Sequence, residues 1–294
     1  MLQQHLGRSL RDIRLVQILL MACLLLVGAA LRDFALLPVQ ILLTFSAALL
    51  AQYFFASALR LKSLGILSAA ISSIGISLLV RSSTLWVHPL VAVVAISSKF
   101  LIRIQQKHLF NPANLAVVVS LLLLPDAWVS PGQWGSDVAL LTWLIALGGI
   151  TATKVGMHRM SLTFAFAYLG FFFLHRNLWL GYEIPVFTHQ LSNGAFLLFT
   201  FFMISDPRTA PNNPVAQILH ALIIAAAAYV WQYYFFANHG FFWALFLFAP
   251  LVPFWDRALP GMQFTWDQNK VSVAQSSLLK PAQDPTPRQA PQTA

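Results

Sequence analysis

The chain has 294 residues, of which 58% are hydrophobic and 9% charged, and its mean hydropathy is +0.71. A soluble domain carries roughly a quarter charged residues, so the composition excludes a soluble enzyme, a disordered protein and a nucleic-acid-binding module. The net charge of +9 then reads as a topology signal rather than a nucleic-acid footprint.

Charged residues cut the sequence into ten apolar segments: 15–31, 34–59, 64–80, 84–98, 109–124, 138–153, 160–174, 191–205, 215–236 and 240–255. A span needs about 20 residues and rarely fewer than about 17. Several of these are short and bounded by Pro, Gly, Ser or Asn, which predicts helices that break within the bilayer. The stretch 209–255 has no acidic or basic residue, and Asn238-His239-Gly240 supplies the turn that divides it. With the N-terminus in the cytoplasm, only Arg32, Arg81 and Arg176 of the 18 basic residues fall outside. Asp33, Asp126, Asp137 and Glu183 fall there too. This asymmetry predicts ten spans in the inner (plasma) membrane with both termini cytoplasmic.

The expected organisation is a cytoplasmic segment over 1–14, a membrane domain over 15–261 and a disordered cytoplasmic tail over 262–294. The tail is rich in Gln, Pro, Ser and Ala. No cleavable signal peptide is expected. Cys23 is the sole cysteine. It can make neither an intramolecular disulfide nor a thiolate metal site by itself, and no metal site is expected.

Two stretches echo one another. Residues 63–83 read S-L-G-I-L-S-A-A-I-S-S-I-G-I-S-L-L-V-R-S-S, and 191–211 read L-S-N-G-A-F-L-L-F-T-F-F-M-I-S-D-P-R-T-A-P. Each opens on small polar residues beside glycine, runs apolar and ends in a polar turn. They are the third and eighth segments, so a five-span offset would invert one against the other. The alternative is chance likeness between two helices rich in small residues. The fold expected is all-α, a polytopic membrane protein of two inverted five-helix halves with broken helices.

Polar residues at segment ends are the candidate site. Asn111 and Asn114 flank Pro112 at the start of the fifth segment. They suit helix capping, or hydrogen bonding to a cofactor ring or to the mirrored loop. Lys99, Arg103 and Lys107, spaced by four, are expected on one helical face. That face would anchor the chain at the membrane surface or contact a phosphate or an acidic partner. Asp206 precedes Pro207, so the eighth helix should stop there. Asp206 could cap the next element or pair with Arg208. Ser192, Asn193 and Thr209 complete the set. His88 and His220 lie within spans, where a bis-histidine haem is a weaker possibility.

Four motifs in order resemble a known family. They are 107–116 (K-H-L-F-N-P-A-N-L-A), Ser192-Asn193-Gly194-Ala195, 202–211 (F-M-I-S-D-P-R-T-A-P) and the closing 250–256 (P-L-V-P-F-W-D). They resemble the RnfD/NqrB family, which comprises membrane proteins of Rnf-type electron transport complexes and of sodium-translocating NADH:quinone reductases. The resemblance implies ten spans in two inverted halves, a flavin and partner subunits in a complex that couples electron flow to ion translocation. It also implies that Asn111, Asn114, Ser192, Asn193, Asp206 and Thr209 lie near the cofactor. Members of that family hold FMN through a threonine in an S-G-A-T motif between the fifth and sixth spans. Here the corresponding loop, 128–137, has Ser130 and Ser136 but no threonine. A flavin, FMN or riboflavin, would therefore be noncovalent. The F-N-P-x-N and W-V-S-P-G-Q-W-G stretches are similar to stand-alone UnbU-type relatives of enediyne biosynthetic clusters. A non-redox transporter or permease with the same inverted repeat is the alternative. Membrane lipids and other membrane or redox subunits are the expected partners, with no nucleic acid among them.

Overall fold

The computed structural model describes residues 12–31, 37–61, 63–104, 107–129 and 138–264. Each of the ten apolar segments carries helix. In chain order these are α1 (Ile13–Leu31), α2 (Pro38–Ala58), α3 (Ile66–Leu79), α4 (Val87–Leu101), α5 (Pro112–Leu123), α6 (Val138–Lys154) and α7 (His158–Phe172). A π-helical stretch, Phe173–Trp179, extends α7. There follow α8 (Ile184–Leu191), α9 (Gly194–Leu198) running into a second π-helical stretch (Phe199–Met203), α10 (Pro214–Tyr233), α11 (Gly240–Phe248) and α12 (Leu251–Ala258). The helix α8 was not expected. Four short strands complete the described chain: β1 (Val80–Ser82), β2 (Arg103–Ile104), β3 (Lys107–His108) and β4 (Ala127–Val129).

The starts of the helices follow from the sequence. Pro38, Pro112 and Pro214 open α2, α5 and α10, at the one position where a missing N–H costs nothing. Asn111, Asn193 and Asn213 cap their helices by accepting from the backbone N–H of Asn114, Phe196 and Val215. Gly65 precedes α3 at φ 64°, a conformation side chains resist. A Cβ there would also stand 2.8 Å from Gln52 Nε2.

Among the described residues, α1, α2 and α10 are long and apolar enough to cross a membrane as single helices; α11 and α12, bent by 53°, make a fourth crossing if taken together. The other helices are short. At 1.5 Å per residue α3 is about 21 Å long and α5 about 18 Å, against a hydrocarbon layer of about 30 Å.

Side-chain bonds set the directions in the first half. Gln52, near the end of α2, donates to Leu64 O at the entry to α3 (2.8 Å), and Gln40, near its start, donates to Ser82 O beyond the exit of α3 (2.9 Å). So α3 runs back along α2. Thr44 meets His88 Nδ1 at 3.2 Å, and Lys99 Nζ donates to Gln52 Oε1 at 3.1 Å. Thus α4 runs with α2. Strands β1 and β4 pair antiparallel, Arg81 opposite Trp128, which clasps the exits of α3 and α5 together.

The packing repeats with the five-segment offset. In the first half α1 packs on α3, α2 on α4 and α4 on α5; in the second α6 packs on α9, α7 on α10 and α10 on α11. The halves meet through α1 with α6 and α5 with α11, pairs that the same offset maps onto themselves.

The two halves are built of different material. Helix α3 buries Ser72, Ser73 and Ser77, and the Ser72 and Ser73 hydroxyls bond to the carbonyls four residues back, as small polar residues do at apolar helix contacts. The second half buries rings instead: Phe164, Tyr168, Phe196, Phe199, Phe241 and Phe242 are in mutual contact. Outward, Leu26, Phe54, Phe166 and Trp179 are exposed. An exterior this rich in large apolar side chains suits lipid, not water.

Gly148 of α6 tests this packing. A Cβ there would stand 2.6 Å from Phe201 Cβ, whereas neighbouring Gly149 faces open space. Overpacking costs about 1–3 kcal/mol. Gly148→Leu is expected to lower the melting temperature in detergent, and Gly149→Leu to leave it within a degree or so of the parent.

Candidate functional site

The entry of α5, the exit of the α9 segment and the end of α12 converge in one polar cluster. Asn111 is held first by its own helix, its Oδ1 accepting from Asn114 N at 3.1 Å. Its Nδ2 then donates to Asp206 Oδ2 at 3.2 Å. The other Asp206 oxygen accepts the Arg208 N–H at 3.0 Å. Thr209 turns the chain back, its hydroxyl donating to Asp206 O at 3.3 Å. Pro207 follows Asp206, so helix cannot continue. Asn111 thus both caps α5 and bonds to the Asp206 turn, and Asp206 also takes the backbone N–H of Arg208.

Lys107 fastens the next layer. Its ammonium donates to Ala210 O at 2.6 Å and to Asp256 Oδ2 at 2.8 Å. Asp256 Oδ1 accepts from Asn212 N at 2.8 Å. Both members of the ion pair are nearly buried, at 7% and 6% side-chain exposure. Behind it Lys99 donates to Gln52 and, at 3.0 Å, to Ser68 Oγ.

The electrostatics follow from burial. Loss of water pushes the Asp206 carboxyl above its ordinary value. The Arg208 N–H and guanidinium, Thr209 and Lys99 pull it down by less. The ammonium of Lys107 is lowered by burial and partly restored by Asp256. His108 is pushed down to about 3, by burial first and then by Lys99, Arg208 and Arg103, so its imidazole is neutral at physiological pH.

A second feature lies beside the cluster. Asn114 Nδ2 donates to Phe242 O at 3.2 Å, one turn into each of α5 and α11. Phe110 stacks on Phe246 with ring centroids 4.8 Å apart. The two short helices therefore begin against each other inside the protein. Asn114 Oδ1 is buried without a hydrogen-bond partner among the described residues.

Of the residues nominated from sequence, Asn111, Asn114, Asp206 and Thr209 come together. Ser192 and Asn193 do not. They sit at the far end of the α9 segment, about 20 Å from Asp206 at helical rise. Ser192 is occupied by Thr188 O and His189 O, and Asn193 by its own helix. Lys99, Arg103 and Lys107 do not share a helical face either. Helix α4 ends at Leu101, and Arg103 and Lys107 lie on the two strands of a hairpin. Residues 130–137, where the missing S-G-A-T threonine would lie, fall outside the described residues. So do most of the segments 1–14 and 262–294. Asp256 had no role assigned from sequence, although it is the only acid between Asp206 and Asp267. Among the described residues no group of His, Cys, Asp or Glu could hold a metal.

Compared with known proteins, residues 129–264 match the NQR2, RnfD, RnfE family. The matched region takes in α6 to α12 and the Asp206-Pro207 turn, and it includes Asp256. No curated protein matches the chain.

Breaking a buried ion pair from one side strands the other charge, at about 3–5 kcal/mol. Lys107→Met and Asp256→Asn are each expected to lower thermal stability in detergent by that order. The double variant should be less destabilised than the sum of the two. Asp206 predicts a pH effect of definite sign. Its folded-state value lies above the unfolded one, so its favourable contribution is full at low pH and is lost as pH rises through the folded value. Asp206→Asn should therefore gain stability relative to the parent as pH rises. A constant difference in melting temperature across the pH series would contradict this.

Proposed function

We propose that the chain is a membrane subunit of an Rnf/Nqr-type electron transport system. It would comprise ten spans in two inverted halves, with both termini cytoplasmic in the inner membrane. The observation that carries this reading is the family match over residues 129–264, which follows the second set of five segments. The first set lies outside the match, but three of its packing pairs (α1 on α3, α2 on α4, α4 on α5) recur in the second (α6 on α9, α7 on α10, α10 on α11). The alternating directions of α2, α3 and α4 support the topology. So does the gathering of Lys99, Lys107, Asn111, Asp206 and Asp256, all assigned to the inner face, into one neighbourhood.

The polar cluster does not fit a flavin. Asn111, Asp206 and Thr209 are committed to one another, and the cavity beside Lys107, His108 and Asp256 has a volume of about 10 Å³. Pockets for organic ligands run to about 300–1,000 Å³. No electron-transfer step is derived through this cluster. Its residues brace the inner face: Lys107 joins the β2–β3 hairpin to α12, and Asp206 joins the loop before α10 to α5. In this reading a noncovalent FMN or riboflavin is held between the two halves, away from this cluster. The likeness to UnbU-type relatives supports a stand-alone setting linked to enediyne-type biosynthesis, which adjacent genes would reveal.

The purified chain, alone and with its partner subunits, is expected to show flavin absorbance that acid precipitation releases into the supernatant. Folded samples without flavin in either state would refute the redox reading. Topology is tested separately on a Cys23→Ser background. Single cysteines replacing Lys154 and Arg257 should react only from the cytoplasm, and one replacing Arg176 only from outside.

One observation favours a second reading, a permease. Helices α5 and α11 begin against each other and leave Asn114 Oδ1 without a partner, the arrangement broken helices use around a transported solute. Uptake into proteoliposomes that ignores redox poise and fails in Asn114→Leu would favour it.

A further inference from the structure

A groove of about 630 Å³ runs along the outer side of the α7–α10 pair. Its two ends differ in chemistry. His158 and Arg159 stand at one end, in the first turn of α7, and Leu162, Phe166, Ile218 and Leu222 line the rest. The apolar residues follow helical spacing, four apart on each helix, so they form two facing stripes. Phe166 is 74% exposed, and no described segment covers it.

Among the described residues no ion pair answers the charged end. No Asp or Glu occurs between Val138 and Tyr182, or between Arg208 and Trp255. Helices α6, α7 and α10 are therefore without acids, while Lys154, His158 and Arg159 crowd the short α6–α7 connection. Arg159 also sits in the N-terminal, positive turn of α7, where the helix dipole disfavours a cation. His158 Nδ1 is buried without a hydrogen-bond partner among the described residues, and Met157 gives the helix no side-chain cap. Anionic oxygen at this end of the groove would answer the exposed Arg159 guanidinium beside His158.

We propose that this groove is a binding site for an anionic phospholipid, its phosphate at His158 and Arg159 and one acyl chain along Leu162, Phe166, Ile218 and Leu222. The charge pattern selects a lipid over a partner helix. A helix would cover the apolar stripes but leave the cationic end unanswered. A lipid answers both, since its head and tail have the groove's own polarity. The proposal rests on the membrane reading of the chain and not on electron transfer.

The test is native mass spectrometry of the full chain released from nanodiscs of phosphatidylcholine and phosphatidylglycerol in equal amounts. The parent should retain phosphatidylglycerol in preference to phosphatidylcholine. Arg159→Gln should cut that retention about fivefold, the order expected for one basic residue facing an anionic headgroup. Ala167→Phe, which fills the groove and leaves its charges alone, should reduce retention of both lipids. Lys280→Gln, in the tail, should change nothing. Equal retention of the two lipids by the parent would overturn the proposal whatever the variants do. So would full retention in both groove variants, or displacement of the lipid by glycerol phosphate alone. Size-exclusion profiles and melting curves identify any variant that fails to fold. Flavin absorbance is read on the same samples. Its absence would count against the redox reading and leave the lipid result standing.

Discussion

Lys107 takes its two acceptors from parts of the chain that are otherwise far apart in sequence. One is the carbonyl of Ala210, in the loop that reverses the chain before α10. The other is the carboxylate of Asp256, near the last described helical turn. A protein with so few charges has few ways to fix its loops, and burial makes each of them strong. The pair is taken out of water, so its geometry has to be complete: Asn212 N satisfies the second oxygen of Asp256. The entry to α5 depends on what this fork holds in place. Asn111 can meet Asp206 only if the 206–213 loop stays pressed against the β2–β3 hairpin. This end of the helices is thus held together by polar contacts, whereas the body relies on apolar packing.

Much of the fold was legible because membrane helices obey a simple rule. Backbone polar groups in lipid must be satisfied within the segment, so apolar runs bounded by Pro, Asn and Gly translate directly into helices with those residues at their ends. Asn111, Pro112, Asn193 and Pro214 did what their chemistry indicates. Lengths were harder to read. The sequence gives no sign that Phe173–Trp179 continues α7 as π-helix, or that Ile184–Leu191 forms a helix of its own, because both segments mix aromatic and polar residues without a clean period. The spacing of Lys99, Arg103 and Lys107 misled for a related reason. A spacing of four means a shared face only while the helix lasts, and α4 ends between the first two.

The candidate site was half legible. Asn111 and Asp206 stood out as polar groups at apolar ends, and they meet. Ser192 and Asn193 stood out equally and serve only their own helix start. Family resemblance drew all of them together, since motifs close in a pattern need not be close in space. Asp256 escaped notice because its partner, Lys107, lies 149 residues away, a separation that no local pattern encodes. The inverted repeat behaves differently again. Its trace in sequence is a loose likeness of two segments. In the fold several helix pairings recur at the five-segment offset, even though one half is lined with serine and the other with phenylalanine.

The β1–β4 clasp has a consequence for how the molecule is made. Helix α3 is too short to span the hydrocarbon layer unaided, and its exit is tied to a strand that lies beyond α5. During synthesis α3 must therefore wait, unclasped, until residue 129 has emerged. Only then can the first half close as a unit. The second half is finished later still, when Asp256 reaches Lys107. The chain thus carries its assembly order in contacts that wait for later residues, the first half closing at the β1–β4 clasp and the two halves joining when Asp256 meets Lys107.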